Sequence, residues 1–314
     1  MSASTRITGS RNSLIILMFH GLFRDEDEAF AGYIDPYQPL TEPDLVRLIE
    51  YFQKTGYQFI SPDDLLADEF EPGALRVMLT FDDGYANNLR ALPILKRFNV
   101  PATFFIATGN VASGEAFWWD VLFRERVRRQ TSLAEIVAER QQLKSLDNQG
   151  IKAHLRELFG DDAFAPRSDI DRPMTIAELQ AMAREPLVTL GNHTVDHELL
   201  NRVPVAAARR QIAGCQQMLA EWTGQSPNII AYPNGICNAA IKAEAEQTGL
   251  SLGLVSLRGK TSLPVKAEER MTLPRYALAG GESLERDCRV IMAPFSLSGM
   301  RQEYHSRLQL RALP

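Results

Sequence analysis

Apolar runs without polar alternation recur along this chain, and each ends abruptly in polar residues. Leu14-Ile-Ile-Leu-Met-Phe stops at His20, Val77-Met-Leu-Thr-Phe at Asp82 and Asp83, and Ile229-Ile-Ala-Tyr at Pro233-Asn234-Gly235. Leu187-Val-Thr-Leu leads through Gly191 and Asn192 to His193, and Met271-Thr-Leu through Pro274 to Arg275. A strand that is apolar on both sides must be buried on both faces, as in a parallel sheet covered by helices. The segments between the runs agree. Leu45, Leu48, Ile49 and Phe52 share one helical face over residues 43–55, and Gly56 closes the helix. Further helices are expected near 86–98, 175–183, 204–222, 239–248 and 282–292. Residues 101–107 and 252–255 read as strands, 57–60 as a short strand and 62–67 as a short helix. Strand–helix–strand alternation predicts parallel pairing with helices outside.

The rhythm breaks between about 108 and 186. Trp118-Trp119-Asp120 opens charge-rich helical sequence over 121–130, 133–146 and 151–159, and a loose segment follows at 160–173. A plain strand–helix unit needs far less chain, so a mostly helical insertion is expected at about 109–174. The whole chain, 1–314, then reads as a single barrel domain with this insertion and a C-terminal tail at about 295–314. The cluster Arg124, Arg126, Arg128 and Arg129 reads as a solvated helix face, or as one leaning over a substrate mouth.

Composition narrows the class of partner. A net charge of −5 argues against general nucleic-acid binding. The longest apolar run near the start, residues 14–19, is too short to cross a membrane. Cys215, Cys237 and Cys288 are odd in number and unpatterned in spacing, which points to free thiols in a reducing compartment. The chain therefore reads as cytoplasmic. Its oligomeric state is left open.

The polar run ends carry the chemistry. Two adjacent carboxylates at the end of a buried strand are costly unless a cation or shared chemistry offsets their desolvation and repulsion. Alone, Asp82-Asp83-Gly84 reads sooner as a solvated turn. His193 and His197, four apart, would project from one side of a helical turn. Two histidines and a carboxylate make a three-ligand set with positions open for water and substrate, as in a catalytic zinc site. In a (β/α) barrel, C-terminal strand ends share the face that bears the active site. His20, Asp82/Asp83, His193, Pro233-Asn234-Gly235 and Arg275 all fall there.

Thr80-Phe-Asp-Asp-Gly84 and His193-Thr-Val-Asp-His197 resemble the first two signature motifs of the polysaccharide deacetylases, the NodB-homology family or carbohydrate esterase family 4. The resemblance spans about 14–276. It implies a distorted (β/α)7 TIM-like barrel and a metal-dependent hydrolase that removes N- or O-acetyl groups from a carbohydrate, with metal-bound water as nucleophile. By position, Asp83, His193 and His197 would hold a divalent metal, most often Zn2+, and Asp82 would be the general base. Ala231-Tyr232-Pro233-Asn234-Gly235 resembles the third motif, in which the backbone N–H after the proline meets the oxyanion; here that is Asn234, with Tyr232 and Pro233 in the same substrate-binding turn. Two departures stand out. Ala231 occupies the place of an arginine that orients the base, a task left to Arg275. The family's Leu-x-His element, which supplies the general acid, is missing, so His20 becomes the candidate acid; its other reading is a neutral histidine bonded to a loop. His154 reads as structural and His305 as surface.

The implied partner is an acylated sugar, oligosaccharide or sugar-containing precursor, with Trp118 and Trp119 as a stacking wall or as core. Two rival readings stay open: a deformylase or other amidase on the same barrel, and a non-catalytic carbohydrate-binding relative. Gly249-x-Ser251-x-Gly253 copies a nucleophile elbow, but it lies between a helix and a strand, the reverse of the order that motif requires.

Overall fold

The computed structural model describes residues 12–71 and 73–293; the expected tail at about 295–314, with His305, lies outside the described residues. Among the described residues ten strands form one sheet: β1 Ser13–Phe19, β2 Gln58–Phe59, β3 Leu75–Phe81, β4 Ala102–Ile106, β5 Val188–Asn192, β6 Ile229–Ala231, β7 Leu252–Val255, β8 Thr261–Ser262, β9 Leu273–Pro274 and β10 Tyr276–Ala277. The helices are α1 Glu26–Ala29, α2 Glu42–Lys54, α3 Pro62–Ala67, α4 Ala91–Phe98, α5 Thr108–Ser113, α6 Trp118–Arg128, α7 Leu133–Leu143, α8 Asn148–Phe159, α9 Ile176–Ala183, α10 Val205–Thr223, α11 Ala239–Gln247 and α12 Leu284–Met292.

Parallel pairing runs from β1 through β3, β4, β5, β6 and β7 to β9. β9 and β10 are the two halves of one stretch with Arg275 between them. Its first half pairs with β7 (Leu254 opposite Leu273) and its second with β1 (Leu17 opposite Tyr276). That stretch closes the sheet, and the result is a (β/α)7 barrel. β2 lies beside the lower end of β3, below the point where β4 begins opposite Leu79. β8 pairs antiparallel to the start of β1, a pairing with no signal in the sequence.

The unalternating runs are explained by which side each residue faces. Leu14 and Ile16 of β1 join Met78, Phe105, Ile229, Leu252, Leu254 and Leu273 in one cluster inside the barrel. Ile15, Leu17 and Phe19 join Leu45, Leu48, Ile49 and Phe52 of α2 outside it. Both faces are dry, so alternation has nothing to select for. α2 begins in a capping box, with Thr41 and Asp44 satisfying each other's backbone N–H.

Between β4 and β5 the chain carries α5 to α8 before α9 resumes the barrel's outer layer. Trp118, Val121, Leu122, Ile151, Leu155 and Phe164 form a separate core there. The expected solvated arginine face holds for Arg128 and Arg129, which are exposed, and fails for Arg124. Arg124 is buried, paired with Asp171 and bonded to the carbonyls of Ala163 and Ala165. Arg126 and Arg128 pair with Glu139 and Glu125, and Arg129 lies over the Phe159 ring. The Arg124 contacts tie the loose segment to α6; a one-dimensional charge run carries no record of them.

Candidate active site

β3 continues its inward face past its end. Met78, Thr80 and Asp82 follow at every second position, so Asp82 enters the barrel mouth from below. The next residue must turn away, and Asp83 (φ 76°) and Gly84 (φ 86°) both take left-handed backbone to do so. Among the described residues, seven non-glycines have positive φ, and four of them sit at this mouth: Asp83, Thr194, His197 and Asn234. Such strain persists only where surrounding structure enforces it, and it gathers at functional sites.

The enforcement is visible around the histidines. Asn192, the last residue of β5, accepts from Thr194 N–H (2.9 Å) and donates to the Ile212 carbonyl and Gln216 Oε1 (both 3.0 Å). Gln211 of α10 binds Asp196 through its side chain and accepts Val195 N–H through its carbonyl. Gly109 packs so closely on this loop that a Cβ would meet Asp196 Oδ1 at 2.7 Å. His193 and His197 therefore stand on a pinned loop, not on the helical turn their spacing suggested. Left-handed Thr194 and His197 bend the chain so that the two rings still meet, edge to face, with centroids 4.7 Å apart.

His193 Nε2 lies 3.4 Å and His197 Nε2 3.7 Å from Asp83 Oδ1. One donor atom from each of the three residues fits within 4.8 Å of the others. His193 Nδ1 lies 2.7 Å from the Ala231 carbonyl, which fixes the proton on Nδ1 and turns the Nε2 lone pair inward. Asp83 Oδ1 is buried with no hydrogen-bond partner. A buried carboxylate oxygen without a donor, facing two imidazoles, is what a divalent cation would satisfy, so the donor set fits the ion. Burial holds His197 largely neutral, with its pKa at about 3, and neutral imidazole is the ligating form.

Asp82 is held differently. Arg275 Nη1 and Nη2 grip its two oxygens at 2.8 and 2.9 Å, and both side chains are almost fully buried. Burial works to raise the Asp82 pKa, but the guanidinium charge and hydrogen bonds outweigh it and bring it to about 2. Arg275 thus performs from the closing strand the task that Ala231 cannot. His20, at the end of β1, lines the same cavity.

The third-motif residues separate. Asn234, at φ 54°, lines the cavity, but Tyr232 and Pro233 do not. The Tyr232 ring points out of the barrel into a cluster with Ile230, Ile241, Val255 and Met271. Strand alternation is the reason: Ala231 faces inward, so Tyr232 faces outward. Tyr232 therefore packs outside the barrel, and of the three expected substrate-binding residues Asn234 alone is in the cavity lining. His154, on α8, is not part of the cavity lining.

The cavity holds about 530 Å³, and the segment between β4 and β5 supplies part of its wall, with residues 20–38 that follow β1 supplying another. Trp118 and Trp119 are in this wall, and the Trp119 ring lies 4.8 Å from that of His197. Trp119 Nε1 donates to Tyr85 Oη (2.9 Å), which lies 2.6 Å from Asp120 Oδ2. Burial pushes the Asp120 pKa up to about 8, so this carboxyl is largely protonated at neutral pH. Sequence reasoning passed over Asp120 and Tyr85. Their only signal was a polar residue inside each of the runs Trp-Trp-Asp and Asp-Asp-Gly-Tyr.

Parallel strands close into a seven-stranded barrel that gathers two histidines and two acids at their C-terminal ends, which places the chain in the (β/α) barrel class with a candidate metal site at the usual face. A polysaccharide deacetylase family model matches residues 71–253. The chain belongs to that family. A Bacillus subtilis protein named for the same family, YxkH, is 22% identical over 218 residues, which are 68% of this chain and 57% of that protein. The chain thus spans little more than half the length of that relative. In structure it is similar to the Streptococcus pyogenes deacetylase PplD, solved in complex with acetate (TM-score 0.62, 19% identity, 90% of this chain and 99% of that one). It is also similar to a de-N-acetylase from Aggregatibacter actinomycetemcomitans (TM-score 0.62, 15% identity, 88% and 99%).

Proposed function

We propose that the protein hydrolyses the N-acetyl (or O-acetyl) group of a carbohydrate with the help of one divalent metal ion, Zn2+ by its donor set. The observation that carries the reading is the division of labour between adjacent carboxylates. Asp83 is left without a donor beside two imidazoles, while Asp82 is saturated by Arg275. Asp83, His193 and His197 would hold the ion, which supplies Lewis-acid polarisation and a lowered water pKa when bound. Asp82, kept ionised by Arg275, takes the proton of the attacking water. The Asn234 N–H, presented by its left-handed turn, meets the developing oxyanion. His20 returns a proton to the leaving amine or hydroxyl. Trp119 braces His197 and limits the water that reaches it. A purely sugar-binding role is disfavoured, because a buried acid pair beside two histidines brings desolvation cost and no binding contact of its own. The buried, unpaired Cys215, Cys237 and Cys288 support a cytoplasmic location, which cell fractionation would test.

The test is metal analysis joined to acetate release from acetylated sugars. The wild type should carry about one equivalent of metal per chain. Asp83→Ala and His193→Ala should lose the metal, and activity should fall by orders of magnitude. Full activity after chelation would overturn the proposal. Formate release without acetate release would move the reaction to a deformylase.

A further inference from the structure

We propose that Arg140, Lys144 and Arg202 form an anion subsite in the outer wall of the active-site cavity, and that the sugar deacylated there carries a phosphate or carboxylate group. The inference deepens the proposed function and rests on it. All three residues line the same cavity as Asp83, His193 and His197. Arg140 and Lys144 are four apart at the end of α7, so they project from one side of it. Arg202 comes from the turn that follows the His193–His197 loop. The chain as a whole is acidic, at −5, so three clustered cations do not reflect a general excess of base.

The cations differ in how they are satisfied. Arg140 pairs with Asp35. Arg202 donates to the carbonyl of Lys144, capping the end of α7. The Lys144 ammonium has no ion pair and no hydrogen bond among the described residues. It is nevertheless half-buried, and burial together with the charges of Arg140 and Arg202 lowers its pKa. Attraction of the α7 C-terminus for cations accounts for Arg202, but it leaves the Lys144 ammonium unmatched. The acids on the facing side are engaged elsewhere. Glu198 accepts from the Asn148 and Leu199 N–H groups, Asp147 caps α8, and Asp196 is bound by Gln211. A half-buried cation held beside two like charges is destabilising in the free protein. A ligand anion would remove that cost, and the dry wall would strengthen the attraction. Phosphate and carboxylate share this chemistry, and a neutral polymer lacks it.

The experiment compares an N-acetylhexosamine, its 1-phosphate and an N-acetylated uronic acid as substrates of the metal-loaded enzyme. Calorimetric binding of glucosamine 1-phosphate, which has no acyl group to lose, is measured alongside. One of the anionic substrates should exceed the neutral sugar in kcat/KM by about tenfold or more; which one does so separates phosphate from carboxylate. Lys144→Met should bring that ratio toward unity and weaken glucosamine 1-phosphate binding by about tenfold. Lys144→Arg, which restores the charge, should keep both. Equal kcat/KM for neutral and anionic sugars, or glucosamine 1-phosphate binding untouched by Lys144→Met, overturns the subsite while leaving the deacetylase reading standing. Loss of glucosamine 1-phosphate binding in Lys144→Met, with no acyl group released from any sugar, upholds the subsite and overturns the reaction.

Discussion

Replacing Arg275 by methionine tests the central electrostatic claim. In the folded protein Asp82 titrates near 2 against an ordinary value of 3.8. A depressed carboxylate pKa contributes stability above the unfolded value and loses it as pH falls through the folded one. For Asp82 that is roughly 2 kcal/mol at neutral pH, lost between about pH 4 and pH 2. Arg275→Met removes this contribution and also leaves a carboxylate at 2% exposure with no cation beside it. Burial, the largest influence on Asp82, then acts unopposed by the guanidinium. The expected loss is about 3–5 kcal/mol. Urea unfolding at pH 7, with metal removed by chelation so that binding does not mask the effect, measures it. Arg275→Met combined with Asp82→Asn, which removes both charges, should recover most of that stability while remaining inactive. In the single variant, the acid limb of kcat/KM should also move to higher pH as the Asp82 pKa rises. A loss below about 1 kcal/mol with an unmoved acid limb would refute the view that Arg275 keeps Asp82 ionised.

Asp120→Asn should flatten part of the pH dependence of stability. With its folded pKa raised to about 8, Asp120 retains a proton that the unfolded chain releases near 3.8, so stability falls as pH rises through that window. The gap between wild type and variant, read from urea midpoints of metal-free protein at pH 4.5 and pH 8, should therefore shift in the variant's favour with rising pH; a constant gap contradicts this. Gly191→Ala should cost about 1–3 kcal/mol, because the new Cβ would stand 2.3 Å from the Phe105 ring inside the packed barrel. Thermal unfolding of Gly191→Ala and of Gly191→Ala with Phe105→Leu measures it, and the second change should return part of the loss.

Local pattern was enough for most strands, because a run buried on both faces has a signature that survives without tertiary knowledge. The run over residues 14–19 is β1 almost to the residue, and the polar residues at the run ends do converge on one mouth. Short-range motifs were equally legible, since Asp82, Asp83, His193 and His197 lie next to strand ends in the chain. The reading failed where the answer lay in long-range contacts. A spacing of four suggested a helix for the histidine pair, but hydrogen bonds from the Thr194 and Asp196 N–H groups to the Asn192 and Gln211 side chains impose a loop. Tyr232 shares a motif with Asn234 but faces the other side of its strand.

The sequence by itself determined the alternation of buried strands and amphipathic helices, the placing of acids and histidines at strand ends, and the family. Only the tertiary structure decided that Arg275 closes the barrel and grips Asp82, 193 residues away in the chain. It alone raised Asp120 toward neutrality and left Lys144 without a counter-charge. Apolar periodicity is written into neighbouring residues, because burial acts on each position separately. Charge pairing and pKa depend on which groups meet and how dry the meeting place is, and those are properties of the closed barrel.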